Sequence, residues 1–152
     1  MGPARLSRTR HRSRYCLLVR TPKQILAEAT TIAVVGASRH EEKSAYAVPL
    51  QLKLHGWTVY PVNPYAEQIW GEPCYFSLAE VPAPIDLVNI FRPSAQAADV
   101  VRHAITVGAK AVWLQQGIVS AEGRALAEAA GIDYVEDRCI AVERAINRLS
   151  RL

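Results

Sequence analysis

The sequence lacks the features of membrane, disulfide-rich and disordered proteins. Its 152 residues contain no apolar run near the ~20 residues that a membrane span requires, which excludes an integral membrane protein. The three cysteines, Cys16, Cys74 and Cys139, are far apart and odd in number, so they form no disulfide framework and indicate a reducing compartment. Half of the residues are hydrophobic and 21% are charged, a composition typical of a single globular domain.

Several well-known catalytic and cofactor motifs are also missing. No lysine has the spacing of a phosphate-binding Walker motif, and neither Gly-x-Ser-x-Gly nor Cys-x-x-Cys occurs. The four histidines include no i, i+4 pair, so we expect no metal site. The G-x-G-x-x-G spacing of dinucleotide-binding proteins is absent after Gly36, and Asn63-Pro64 stands where such proteins carry an acid. The sequence therefore offers no complete catalytic constellation.

The positive charge of the chain is concentrated at one end. The net charge is +4, but residues 1–23 hold seven basic residues and no acid, whereas residues 24–152 hold 11 basic residues and all 14 acids. We therefore predict a basic, disordered arm over residues 1–20 and a folded domain over residues 21–152. The composition of the arm suits an organellar transit peptide, a nucleic-acid-binding arm or an extension without function, and these three readings stay open.

Apolar runs and helical patterns alternate along the domain. Thr21-Pro22-Lys23-Gln24 combines an N-cap, a first-turn proline and a capping-box glutamine, which predicts the start of a short helix. The predicted strands are 31–35, 57–62, 85–91, 110–114 and 132–135, and the later predicted helices are 46–55, 77–81, 94–107, 120–130 and 141–149. This rhythm predicts a doubly wound α/β/α fold with five parallel strands in the order 3-2-1-4-5.

Ligands of doubly wound folds bind outside the carboxyl ends of the strands, so the residues that follow each strand are candidates. They are Gly36-Ala37-Ser38-Arg39, Asn63-Pro64, Phe91-Arg92-Pro93, Gln115-Gln116-Gly117 and Asp137-Arg138-Cys139. Gly36 would let a phosphate approach the backbone, although an ordinary tight turn also favours glycine. Cys139 is either a reactive thiolate or a small buried hydrophobic residue.

Five short motifs at these strand ends resemble those of one family. They are VVGAS at 34–38, PVNP at 61–64, IFRP at 90–93, WLQQGI at 113–118 and DRC at 137–139. Together they resemble the small stand-alone CoA-binding proteins, which are similar to the CoA-binding domain of the succinyl-CoA synthetase alpha subunit. The likeness covers roughly residues 24–149, and it implies a Rossmann-like fold with coenzyme A or an acyl-CoA as ligand.

The resemblance also implies where the parts of the ligand would lie. The pyrophosphate would lie on Gly36, Ala37 and Ser38, with Arg39 or Lys43 nearby. The other implied contacts are Val62, Asn63 and Pro64 at the adenosine end, Phe91, Arg92 and Pro93 on the opposite wall, Gln115, Gln116 and Gly117 along the pantetheine path, and Cys139 near the thiol. An acid after the second strand would repel the ribose 3′-phosphate of coenzyme A, and none is present.

The resemblance implies that a synthetase would also need a second domain with a phosphorylatable histidine and a nucleotide-grasp partner, and we expect neither in this chain. We therefore expect a non-catalytic cytoplasmic protein that binds coenzyme A or acyl-CoA as a sensor, carrier or regulator, with organellar import if the arm is a transit peptide. A CoA- or nucleotide-dependent enzyme that uses Cys139 and nucleic-acid binding through the arm are the alternatives, of which we expect nucleic acid least. A protein partner or a homo-oligomer stays open.

Overall fold

The computed structural model describes residues 19–152 of the chain. Nearly all of the predicted arm falls on residues 1–18 and so lies outside the described residues. The division of the chain into an arm and a domain therefore stays a prediction. Within residues 19–152, no helix combines the length and the apolar character that a membrane crossing would need.

Arg20, the last residue of the predicted arm, lies against the domain. Its Nε and Nη2 atoms donate to Oδ2 of Asp133 at 2.8 and 2.6 Å, and its Nη1 atom pairs with the carboxylate of Glu28. Arg20 thus belongs to the folded part of the chain. The first helix begins directly after Arg20. Oγ1 of Thr21 accepts from the amide of Gln24 at 3.2 Å, and Oε1 of Gln24 accepts from the amide of Thr21 at 2.9 Å. The predicted capping box is confirmed.

The helices and strands alternate along the chain largely as the sequence predicts. The helices are α1 (Pro22–Glu28), α2 (Ser44–Leu54), α3 (Ser94–Thr106), α4 (Ala121–Ala130) and α5 (Ile140–Ile146). The strands are β1 (Thr31–Val35), β2 (Thr58–Val62), β3 (Gln68–Ile69), β4 (Glu72–Pro73), β5 (Leu87–Ile90), β6 (Ala111–Leu114) and β7 (Asp133–Val135). Two details differ from the prediction: the helix expected at 77–81 is a single 3₁₀ turn, Leu78–Glu80, and the segment expected as a long loop contains the β3–β4 hairpin.

Five of the strands form one parallel sheet in the order β2-β1-β5-β6-β7. The doubly wound, Rossmann-like α/β fold is therefore confirmed. One correction concerns the order of the strands. Counted along the chain, the parallel strands run 2-1-3-4-5 rather than 3-2-1-4-5, because the third strand, β5, pairs with β1 and not with β2.

Right-handed connections explain this strand order. Helices α1, α2 and α5 cover one face of the sheet, while α3, α4 and the 3₁₀ turn cover the other. Helix α2 leads from β1 to β2 on the first face, and residues 63–86 lead back across β1 to β5, with Leu78 and Ile85 packed on the second face. A connection that runs across the sheet in the opposite direction to the one before it must lie on the opposite face of the sheet to stay right-handed. The order 3-2-1 would have required both connections on one face.

Asp86 joins three strands at the amino edge of the sheet, opposite the strand exits. Its Oδ2 atom accepts from the amides of Thr30 and Thr31 at 2.9 and 3.1 Å, and Nζ of Lys110 lies 3.1 Å from Oδ1. Burial alone would raise the pKa of the Asp86 carboxyl. The two amides and the Lys110 ammonium outweigh this effect, so the pKa lies below its ordinary value. The ionised carboxylate therefore stabilises the fold.

We predict that Asp86→Asn lowers the free energy of unfolding by about 1–2 kcal/mol at pH 7. Because the pKa is lower in the folded state, the carboxylate contributes fully above its unfolded pKa of about 4 and loses its contribution as the pH falls through the folded value. Chemical denaturation at several pH values measures the difference in the free energy of unfolding between the variant and the unsubstituted protein. This difference should be constant from pH 7 to 5 and should shrink below about pH 4.

The matched control is Asp99→Asn, since Asp99 is exposed on α3 and pairs only at the surface with Arg102. Its effect should stay within about 0.5 kcal/mol. An Asp86→Asn difference that grew as the pH fell would contradict the assignment.

Candidate functional site

The carboxyl ends of β1 and β5 form the switch point of the sheet. Helix α2 follows β1 on one face, and α3 follows β5 on the other, so the chain leaves these neighbouring strands in opposite directions. This divergence opens a crevice at the edge of the sheet, which is where doubly wound proteins bind their ligands.

Gly36 closes the gap between the two strand ends. Its φ is +87°, and its amide donates to the carbonyl of Val62 at 3.0 Å. A Cβ atom at this position would lie 2.6 Å from the carbonyl oxygen of Phe91 and 3.0 Å from Cδ of Arg92. Only glycine allows both this backbone conformation and this close approach.

A proline inside α2 helps to hold the loop that follows Gly36. In a regular helix the amide of residue 49 would donate to the carbonyl of Ala45, but Pro49 has no N–H. The Ala45 carbonyl accepts instead from the amide of Ser38 at 3.1 Å. The hydroxyl oxygen of Ser38 accepts from the amide of His40 at 3.0 Å, which leaves the hydroxyl proton for donation. The loop is therefore fixed to the helix before any ligand arrives.

Asn63 joins the exits of β1 and β2. Its Nδ2 atom donates to the carbonyl of Ala37 at 2.8 Å, while its Oδ1 atom accepts from the amide of Tyr65 at 2.7 Å. These two hydrogen bonds need a donor and an acceptor on one short side chain. An ionised aspartate has no donor and could not form both. Asparagine therefore gives this strand exit its shape and keeps negative charge away from it.

A buried polar pair supports the far side of the crevice. Gln115 is almost fully buried, and its Oε1 atom accepts from the amide of Ile140 at 3.2 Å. Nδ2 of Asn89 donates to the carbonyl of Trp113 at 3.2 Å, and Oδ1 of Asn89 has no partner among the described residues. Asn89 is not among the site residues predicted from the sequence, although an asparagine inside an apolar strand is a signal of a structural or functional role.

Two cavities meet at Gly36 and Arg92, which line both of them. The smaller cavity, of about 340 Å³, is lined by Val35, Gly36, Val62, Asn63, Pro64, Tyr65, Phe76, Ser77, Leu78, Arg92, Val100 and His103. The larger cavity, of about 650 Å³, is lined by Gly36, Ser38, Lys43, Ser44, Ala45, Val48, Phe91, Arg92, Pro93, Gln115, Gln116, Ile118 and Cys139. Both volumes lie in the range of small-molecule sites.

The structure brings twelve of the fifteen predicted site residues to the walls of these cavities. The other three are Ala37, which is buried, Arg39, which is exposed, and Gly117, whose amide donates to Asp137 at 2.7 Å. The sequence analysis missed Tyr65, Phe76 and His103. No spacing rule points to them, because a connection and a helix on the second face carry them to the cavity.

The described lining of both cavities contains no carboxylate, although the chain has 14 acids. The basic side chains there are Lys43, Arg92 and His103. Nε of Arg92 donates to the neutral Oε1 of Gln96 at 3.0 Å, so this contact orients the guanidinium without neutralising it. Arg138, by contrast, is paired with an acid, since its Nη1 atom lies 3.4 Å from Oε2 of Glu143. The crevice is thus an electropositive site on a domain of net negative charge.

The fold and the crevice define a doubly wound α/β protein with an electropositive candidate site at its switch point. The chain belongs to the CoA-binding domain family, whose model matches residues 30–145. The resemblance inferred from the five motifs is thereby confirmed.

Individual relatives agree with this assignment. The chain is 33% identical over 126 residues to the uncharacterized protein YneT of Bacillus subtilis, which covers 83% of this chain and 93% of that protein. The solved structure of a hypothetical protein from Pyrococcus horikoshii matches with a TM-score of 0.79 at 37% identity, covering 86% of this chain and 92% of the other. An ADP-forming acetate–CoA ligase of Methanocaldococcus jannaschii is 35% identical over 80 residues, which are 53% of this chain and 11% of the ligase.

We predict that Gly36→Ala destabilises the protein by about 1–3 kcal/mol more than Gly108→Ala does. Gly108 is the matched control because its φ is +78° and a Cβ there meets no atom within 4 Å. Both substitutions strain the backbone, but only the first forces β1 and β5 apart. Equal losses in denaturant unfolding would contradict the proposed close contact.

Proposed function

We propose that the protein binds coenzyme A or an acyl-CoA across the crevice between β1 and β5, and that binding without a chemical step is its function. The observation that carries the proposal is the pair of cavities that meet at Gly36 and Arg92 without a lining carboxylate. Membership of the CoA-binding domain family supports coenzyme A as the ligand. A sensor, carrier or regulator of acyl-CoA would need such a site and little more.

The shape of coenzyme A suits two cavities that meet at the positively charged Arg92. The ligand carries a nucleoside at one end, a pantetheine arm at the other and a pyrophosphate between them. The smaller cavity has the size of a nucleoside site, and the larger one has room for the pantetheine arm. The pyrophosphate would then lie over Gly36 and Ser38, within reach of Arg92 and Lys43.

The side chains around the cavities support binding rather than catalysis. Many covalent catalysts use a nucleophile that is hydrogen-bonded to a base. Among the described lining residues, neither Cys139 nor Ser38 is hydrogen-bonded to a His, Lys, Asp or Glu side chain. The cytoplasmic location expected from the cysteine content remains part of the proposal.

We predict that calorimetry shows binding of CoA and weaker binding of dephospho-CoA, because the second ligand lacks the 3′-phosphate. Arg92→Gln should weaken CoA binding about 10- to 100-fold through the loss of a charged contact. Arg102→Gln is the matched control, since Arg102 lies outside both cavities and pairs with Asp99 and Glu122. Tight binding of NADH without a response to CoA would refute the proposal.

Cys139 supports a second candidate, a CoA-dependent enzyme, because its half-buried thiol lines the larger cavity. In that case the Cys139 thiolate would attack the disulfide of oxidised CoA, form a mixed disulfide and release one CoA thiolate. Nucleic-acid binding through the arm, the remaining alternative, falls on residues outside those that the structure describes.

We predict that Cys139→Ser changes the affinity for CoA by less than about 3-fold, since binding does not require the thiol. Mass spectrometry after incubation with CoA disulfide separates the two candidates. An adduct on Cys139, with none on Cys16 or Cys74, would favour the enzyme. The absence of an adduct, or equal labelling of Cys16, would exclude it.

A further inference from the structure

Two exposed aromatic rings line the smaller cavity. Tyr65 is 88% exposed and Phe76 is 65% exposed, although both belong to the cavity wall. Other exposed apolar side chains, such as Val142 and Ile146 on α5, lie outside both cavities. The two rings therefore leave apolar surface uncovered at a place built to hold a ligand.

Backbone contacts hold the two segments that carry the rings. The amide of Tyr65 donates to Oδ1 of Asn63 at 2.7 Å, and the amide of Phe76 donates to a carboxylate oxygen of Glu80 at 3.2 Å. Tyr75, directly before Phe76, bridges to Val62 at the end of β2. The main chain at both rings therefore needs little ordering when a ligand binds, which favours affinity.

The rest of the smaller cavity suits a flat base attached to a phosphate. Val35, Leu78 and Val100 provide apolar walls, whereas Arg92 and His103 provide positive or donor groups. An aromatic ring stacks on any purine or pyrimidine face, and the flexible pantetheine arm has no such face. The two rings therefore distinguish the ends of the proposed ligand.

We infer that Tyr65 and Phe76 stack on the adenine of coenzyme A and thereby fix the direction in which the ligand lies across the crevice. This inference rests on the proposed binding of CoA. It adds two specificity-determining residues to the smaller cavity, where the family resemblance already implies the adenosine. The pantetheine arm then enters the larger cavity, toward Cys139.

The test compares CoA with 4′-phosphopantetheine, which lacks the adenosine. Tyr65→Ala and Phe76→Ala should each weaken CoA binding roughly 5- to 100-fold and leave 4′-phosphopantetheine binding unchanged, because stacking contributes only with the base present. Tyr65→Phe should keep the affinity for CoA, whereas Tyr65→Leu, which keeps the bulk but not the ring, should lower it. Ile146→Ala is the control, since Ile146 is 68% exposed and outside both cavities.

A direct measurement completes the test. Intermolecular nuclear Overhauser effects should join the adenine H2 or H8 proton of CoA to ring protons of Tyr65 or Phe76. Overhauser effects from the adenine protons to methyl groups of Val48 or Ile118 in the larger cavity would overturn the inference. So would unchanged CoA affinity in both alanine variants, or an equal loss for the two ligands. If the unsubstituted protein bound no CoA, the proposed function itself would fail.

Discussion

The backbone contact between the ends of β1 and β5 is the constraint on which the rest of the site depends. Gly36 passes so close to the Phe91 carbonyl that a single methyl group would occupy the same space. The contact exists because β5 returns across the sheet to pair with β1, so that the two strands diverge into helices on opposite faces. One glycine therefore joins the two cavities, and the loops around it are arranged to keep it in place.

Charge is distributed to match this geometry. The described cavity walls contain no carboxylate, and several carboxylates hold the structure elsewhere: Asp86 joins the amino ends of the strands, Asp133 holds Arg20, and Glu143 pairs with Arg138. In the described cavity walls, side-chain amides form structural hydrogen bonds without adding negative charge. Asn63 donates to the carbonyl of Ala37, and Gln115 accepts from the amide of Ile140. In the proposed complex, a phosphorylated ligand would meet Arg92 and Lys43 without a competing carboxylate in the described cavity walls.

The sequence predicted the strands, the helices and most of the residues that line the two cavities, because buried strands and the residues after them leave strong local signals. It did not predict the strand order, since amphipathic patterns are the same whichever face a connection takes. The function of Pro49 was also hidden, because the carbonyl that it frees gains its partner only in the folded chain. Tyr65, Phe76 and His103 were missed for the same reason: the β2–β5 connection and α3 bring them to the cavity from distant parts of the sequence.

The central claim is that a CoA molecule spans the crevice at the carboxyl edge of the sheet. Backbone amide NMR of the isotope-labelled protein, recorded while CoA is added, tests it most directly. If CoA spans the crevice, the amides of Gly36, Ser38, Arg92 and Gln116 should shift, and those of Thr31 and Lys110 at the opposite edge should not. Saturating CoA that moved none of the strand-exit amides, or that moved the opposite edge instead, would contradict it.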